Sequence, residues 1–411
     1  MKTYVAGIAL AFVIGAAAGA AVIGPSADVQ EKLQEALILA EPGATVELAA
    51  GTFNFTRSLS LDVNNVTIKG AGINETILSF KGQNAGSEGL IVTSDGVSLR
   101  DFAVEDTIGD AIKAKGSNQI SFINVRTEWT GGPKETNGAY GFYPVESQHV
   151  LIDGCVAIGA SDAGIYVGQS RNVVVRNSTA RFNVAGIEIE NCYDADVYKC
   201  TAEHNTGGIL VFDLPNLPQQ GGHNVRVFDN KVVNNDTKNF APAGNIVGNV
   251  PTGTGVMIMA NRQVEVFKNT IGGNDTANVM IIAYAGAEGE AKDPKYYPYP
   301  EGINIHSNEF GVGGRNPQGI YGTLMAAAAG APLPDVVWDG RLNREKLVGG
   351  KLPKDSNIYV SDNKHSGENQ FANLDIDAFR ADPKTHKVQR DISAHKGGLS
   401  ALPGVKLPQD S

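Results

Sequence analysis

The chain has 411 residues, 42% of them hydrophobic and only 19% charged, so it can bury a large core. A formal net charge of -10 argues against a nucleic-acid partner, whose phosphates demand basic surface. The 49 glycines are dispersed as turn residues rather than gathered into a linker, and no heptad or long apolar helix appears after residue 24.

The N-terminus, MKTYVAGIALAFVIGAAAGAAVIGPSADVQ, has one lysine, an apolar run and then small residues suited to a signal peptidase between Ala20 and Ala27. Residues 1–27 therefore read as a signal peptide of an exported, periplasmic or secreted protein, with no membrane contact after cleavage. The alternative is an uncleaved anchor, since Val5 to Gly24 approaches the ~20 residues of a bilayer span. Val29 to Ala40 then carries apolar residues at helical spacing, and Pro42-Gly43 stops it. This segment is expected to be a helix that caps the N-terminal end of the folded body.

The body itself is a repeat. An apolar-x-apolar triplet recurs as VTIKGA at 66, VSLRDF at 97, ISFINV at 120, VLIDGC at 150, VVVRNS at 173, ADVYKC at 195, VRVFDN at 225, VEVFKN at 264, INIHSN at 303 and IYVSDN at 358. Several successive copies start 22 or 23 residues apart, and wider gaps mark single-loop insertions. The sixth position forms a column: Ala71, Phe102, Val125, Cys155, Ser178, Cys200, Asn230, Asn269, Asn308 and Asn363. Small or amide side chains stacked at an inward turn can bond from coil to coil.

A second strand precedes several triplets: AIKA at 111, GFYP at 141, GIYV at 164, GIEI at 186, GILV at 208 and GVMI at 255. Ile112, Phe142, Ile165, Ile187, Ile209 and Val256 alternate with Lys113, Tyr143, Tyr166, Glu188, Leu210 and Met257, so the second set points outward on an exposed face, with Tyr143 and Tyr166 expected to be partly exposed in a shallow groove. Short strands in coils of about 22 residues cannot bury a face alone, and stacking them gives an all-β, parallel β-helix solenoid. Right-handedness is expected from the general preference of parallel connections. The body is expected over residues 28–365, with 366–411 an irregular C-terminal cap or tail, because the repeat fades and Pro383, Pro403 and Pro408 appear. Cys155 and Cys200 lie two coils apart in one column, roughly 10 Å at ~4.8 Å per coil, which is too far for a disulfide. Cys192 sits in another turn, and no Cys-x-x-Cys pair suggests zinc.

The run NGAYGFYPVESQHVLIDGCVAIGASDAGIYVGQSRNVVVRNSTARFNVAGIEIENCYDADV resembles the catalytic region of mannuronan C5-epimerases and related β-helix polysaccharide lyases. LQEALILAEPGATVELAAGTF is similar to their capping segment, and the stretch beginning FDLPNLPQQGGHNVRVFDN resembles exported right-handed β-helix repeat proteins of unassigned function. The resemblance implies a polysaccharide ligand and epimerase- or lyase-like chemistry. Against the epimerase motif Tyr-Gly-Phe-Asp-Pro-His-Glu, the positions Tyr140, Gly141, Phe142, Pro144 and Glu146 match. Tyr143 stands at the aspartate and Val145 at the histidine, so the motif is degenerate where the base belongs.

The replacement chemistry open to this face is a Tyr143/Tyr166 phenolate pair activated by Lys113, with Glu146 beside it. Lys115, Gln169, Glu188, Glu190, Asn191 and Asp213 are the candidate substrate-binding residues on the same face. Hydrolysis by paired carboxylates among Glu146, Glu188, Glu190 and Asp213 is the second catalytic option. No cofactor or metal is expected. Calcium is the one cation the acids invite, but Asp106, Asp110 and Asp162 are scattered rather than set in a dense loop. Tyr296, Tyr297 and Tyr299 and the loop after Phe212 could wall a cleft with aromatic faces for sugars. The reading that competes with all of these is a non-catalytic surface or periplasmic scaffold that presents its long face to an exported protein partner.

Overall fold

A computed structural model describes residues 22–284 and 293–408. Residues 1–21, most of the expected signal peptide, lie outside the described residues, as do 285–292 of the tyrosine-bearing insertion. No helix among the described residues is long and apolar enough to cross a membrane.

The strands form two parallel sheets of nineteen and eleven strands. Each regular coil gives one strand to the smaller sheet and two to the larger, as in Tyr140–Val145, Gln148–Asp153 and Val156–Ile158. The sequence register holds: Phe142 pairs with Ile112 and Ile165, Ile165 with Ile187, Ile187 with Ile209, and Ile209 with Val256. Val150, Val173, Ala195, Val225, Val264, Ile303 and Ile358 form the matching stack across the interior. Like side chains one above another fill the solenoid with a continuous apolar core, which no single coil could bury by itself.

Its corners are held by polar ladders. The Asn230, Asn269, Asn308 and Asn363 amides each accept from the backbone N–H and the side-chain amide of the coil before, or from Cys200 N at the first rung. A second ladder, Asn183, Asn205, Asn235 and Asn274, runs at another corner with the same pattern. The triplet alignment does not reach it, because it lies after the third strand of each coil. Cys155, Cys192 and Cys200 are buried free thiols at corner positions.

The helix Val29–Ile38 caps the first coil, with Val29, Leu33 and Leu37 on the core. Its two glutamines replace a missing strand. Gln30 accepts from Thr56 N and Arg57 N at 3.1 Å, while Gln34 bonds both the N–H and the C=O of Ser60 at 2.9 and 3.0 Å. The exposed sheet edge is thereby satisfied. The folded body includes Ile23, which forms a parallel bridge to Leu48.

At the far end the repeat extends one strand past residue 365, through Phe371–Asn373 paired on Val336–Trp338. The tail then turns back along the larger sheet. Leu402 N donates to Glu265, Val405 N donates to Asp196 at 3.0 Å, and Leu407 packs on Leu151 and Val174. It is a strap as well as a cap.

Insertions build an outer layer on the smaller sheet. Leu214, Val247, Val250, Tyr296, Met325 and Leu333 cover the outward side chains of Tyr166, Leu210, Phe212, Met257 and Met280. The column expected to be exposed is therefore covered from Tyr166 onward. The apolar outward residues Leu210, Met257 and Met280 are its reason, since they need a cover.

Candidate functional site

Where the outer layer begins, three tyrosines converge. The ring centroids of Tyr140 lie 4.4 Å from Tyr143 and 4.5 Å from Tyr166, and those of Tyr143 and Tyr166 lie 5.1 Å apart. Tyr140 and Tyr143 are half-buried, whereas Tyr166 is only 4% exposed, contrary to its expected place in an open groove. Gly168 explains how Tyr166 fits, because a Cβ there would meet its hydroxyl oxygen at 2.2 Å. The ring lies along its own strand toward Glu190 and donates to Oε1 at 2.6 Å, while Gln169 donates to the same oxygen at 3.2 Å.

Carboxyl groups surround these rings. Glu188 and Glu190 share the outward face of the strand Ala185–Glu190, and Asp162 approaches from the turn before Ala163–Gly168, held by Asn245 at 2.9 Å. Glu188 is 2% exposed rather than solvent-facing, and its Oε2 has no hydrogen-bond partner. Burial, and then the neighbouring charges of Glu190 and Asp162, push its carboxyl well above the usual range. Burial raises Asp162 to about 7, with Glu190 adding to the rise, and burial raises Glu190 to about 7 against the opposing Tyr166 hydrogen bond. Asp110 stands at about 6 through burial, partly offset by Lys113.

The Tyr/Lys base does not assemble. Lys113 Nζ lies over the Tyr143 ring at 4.9 Å, but it pairs with Glu88 at 3.4 Å and Asp110 at 3.9 Å. Burial and then Asp110 raise the Tyr143 phenol to about 12, and Tyr140 and Tyr166 also rise, the direction opposite to a phenolate base. Val145 is buried, so no ionisable group replaces the motif histidine at that position.

Several other expected site residues are framework. Glu146, Gln169 and Asn191 occupy one left-handed bend in successive coils, with φ of 52°, 46° and 50°. Their recurrence in the sequence is a signal of turn geometry. Asn191 spends its amide on Leu214 and Gln219, and Asp213 accepts from Gly222 N at 2.8 Å while its carbonyl accepts from Tyr296; both tie down insertions. Burial lifts Asp213 to about 6. Lys115 and Glu146 form an exposed pair at 3.5 Å, beside a polar cleft of about 390 Å³ that includes Ser117, Gln169 and Arg171. Among the described residues no three His, Cys, Asp or Glu side chains converge as metal ligands.

Asp110, Asp162 and Tyr140 belong to the site although the sequence pattern gave them no role in it. Tyr140 was visible as the first residue of the degenerate motif. Glu88 and Asn245 carried no signal, because the first is brought in by coil stacking and the second by an insertion.

A family model described as right handed beta helix region matches residues 88–249, which fixes the hand of the coil. No curated protein matches the sequence. Among solved structures, the A-module of Azotobacter vinelandii mannuronan C-5 epimerase AlgE4 is 15% identical, with a TM-score of 0.51 over 87% of this chain and 94% of that one. The AlgE6 A-module of the same organism is 15% identical over 85% and 96% of the two chains, with a TM-score of 0.48. An alginate lyase from Paenibacillus sp. str. FPU-7 is 14% identical over 83% and 95%, with a TM-score of 0.40. At such identities the shared feature is the fold.

Proposed function

We propose that this β-helix protein is exported and binds a polysaccharide on the outward face of its smaller sheet, centred on Tyr140 and Tyr143. The observation that carries this reading is the convergence of three tyrosine rings within 5.1 Å of one another beside buried carboxyl and amide groups. Aromatic faces accept the C–H faces of sugars, and carboxyl and amide groups take their hydroxyls. The fold likeness to a mannuronan epimerase module supports a carbohydrate ligand, and the charges narrow its class.

A uronate polymer needs cations free to meet its carboxylates. Here Lys113 is engaged by Glu88 and Asp110, and Lys115 by Glu146, while Asp162, Glu188 and Glu190 add further acids. The face suits a neutral polysaccharide. Epimerase- or lyase-like modification finds Val145 where the motif base belongs, and the nearby lysines are already paired with carboxylates. Affinity electrophoresis of the purified protein through neutral glucans, mannans, galactans and xylans, with alginate and pectate in parallel, tests the reading. Retardation is expected in a neutral glycan, and mobility unchanged in every gel would overturn it.

A further inference from the structure

Glu188 is costly as framework. Its side chain is almost fully buried on an outward strand face, with Tyr166 before it and Leu210 after it in the stack, yet Oε2 is left without a partner. A buried carboxyl oxygen without a hydrogen bond is destabilising, so a purely structural position would favour leucine, as in the next coil. Glu190, two residues along the same strand face, has the opposite provision: one oxygen accepts from both Tyr166 and Gln169. One carboxyl is thus set to keep a proton and its neighbour to release one.

We infer that Glu188 and Glu190 are the acid and base of a glycoside hydrolysis acting on the neutral polysaccharide held over Tyr140 and Tyr143. The inference rests on the proposed binding of a glycan to this face. The glycosidic oxygen supplies the hydrogen-bond partner that Glu188 Oε2 lacks and takes its proton as the bond from the anomeric carbon to that oxygen breaks. A water molecule gives a proton to Glu190 and forms the new bond from its oxygen to the anomeric carbon. One proton leaves the acid, one reaches the base, and water is the only co-reactant. Glu188 and Glu190 stand two residues apart on one strand, so both carboxyls project from the same face of the sheet. Elimination is disfavoured because both nearby lysines are engaged by carboxylates.

The test incubates the full chain with borohydride-reduced glucans, mannans, galactans and xylans and measures new reducing ends together with unsaturated ends. Reducing ends without unsaturated product are expected. Glu188→Gln and Glu190→Gln should each lower that rate by about 10²–10⁴-fold, the scale of general acid–base catalysis, while binding in the affinity gels persists. On a nitrophenyl glycoside of the same sugar, whose leaving group needs no proton, Glu188→Gln should regain activity and Glu190→Gln should not. A merely structural glutamate would not separate the two substrates. Glycan retention without any new reducing ends overturns the hydrolysis and leaves the binding reading standing, whereas no retention removes the binding reading itself. Unsaturated ends, or a folded Glu188→Gln equally inactive on both substrates, would also overturn the assignment.

Discussion

Replacing Asn269 by alanine removes the middle rung of the ladder that holds the coils in register. Its side chain makes four bonds of 2.9–3.0 Å: it accepts from Asn230 N and Asn230 Nδ2, and it donates to Val227 O and Asn308 Oδ1. The Asn230 backbone N–H is left buried without that acceptor, a cost of about 1–3 kcal/mol. Asn230 Nδ2 keeps Val197 O, and Asn308 Oδ1 keeps Asn269 N, so the remaining losses are nearer 1 kcal/mol each or less. The sum is about 3–5 kcal/mol. Asn363→Ala removes the terminal, half-buried rung, where water can replace the lost bonds, and should cost about 1 kcal/mol. Urea unfolding followed by far-UV circular dichroism and by the fluorescence of Trp129 and Trp338 compares the two variants. Equal losses, or a loss below about 1 kcal/mol for Asn269→Ala, would show that the ladder follows the coil rather than holding it.

Stability should fall as pH rises from 5 to 8. Asp110, Asp162, Glu188, Glu190, Asp213 and Asp339 all have carboxyls raised by burial, so the folded state holds more protons than the unfolded state across that window. Glu188→Gln should flatten this dependence and raise the melting temperature at pH 8; a profile steeper than the parent's would refute the sign. Tyr143→Asp with Val145→His, which restores the epimerase motif by position, should yield no strong mannuronan epimerisation and should lose about 1–3 kcal/mol by burying a polar ring at position 145. Robust turnover measured by proton exchange at C5 would contradict that. Removing residues 399–411 uncovers Leu151 and Val174 and takes away the backbone donors, Leu402 N and Val405 N, that now bond Glu265 and Asp196, which should cost about 1–3 kcal/mol by urea titration. Glycan retention should be unchanged, because the strap lies on the other sheet.

The solenoid was legible because its information is periodic. The triplets, the asparagine column and the in–out alternation of Phe142 and Tyr143 repeat at the coil length, and stacking requires nothing more. The outer layer was not legible. Insertions such as 234–253 and 311–335 obey no repeat, and the strand Val336–Trp338 lies beyond a long one. For that reason Tyr166 and Glu188 were placed correctly on the outward face but wrongly in solvent. The direction of a side chain is set by strand alternation, whereas its exposure depends on a loop far along the chain, as Leu214 and Val250 show. The same distinction separates Glu146 and Asn191, whose recurrence reports a left-handed bend, from Asp162, whose environment is completed by Asn245 at a distance of 83 residues.

Titration calorimetry with the neutral glycan that retards the protein most, at pH 7, tests the central claim most directly. Tyr140→Ala and Tyr143→Ala should each weaken binding by about 1 kcal/mol, or roughly fivefold, the scale of one aromatic contact. Phe182→Ala, which removes an exposed ring stacked on His204 elsewhere on the solenoid, should leave the affinity unchanged. Equal losses at all three positions, or an affinity indifferent to both tyrosines in variants that melt like the parent, would contradict the placement of the glycan on this face.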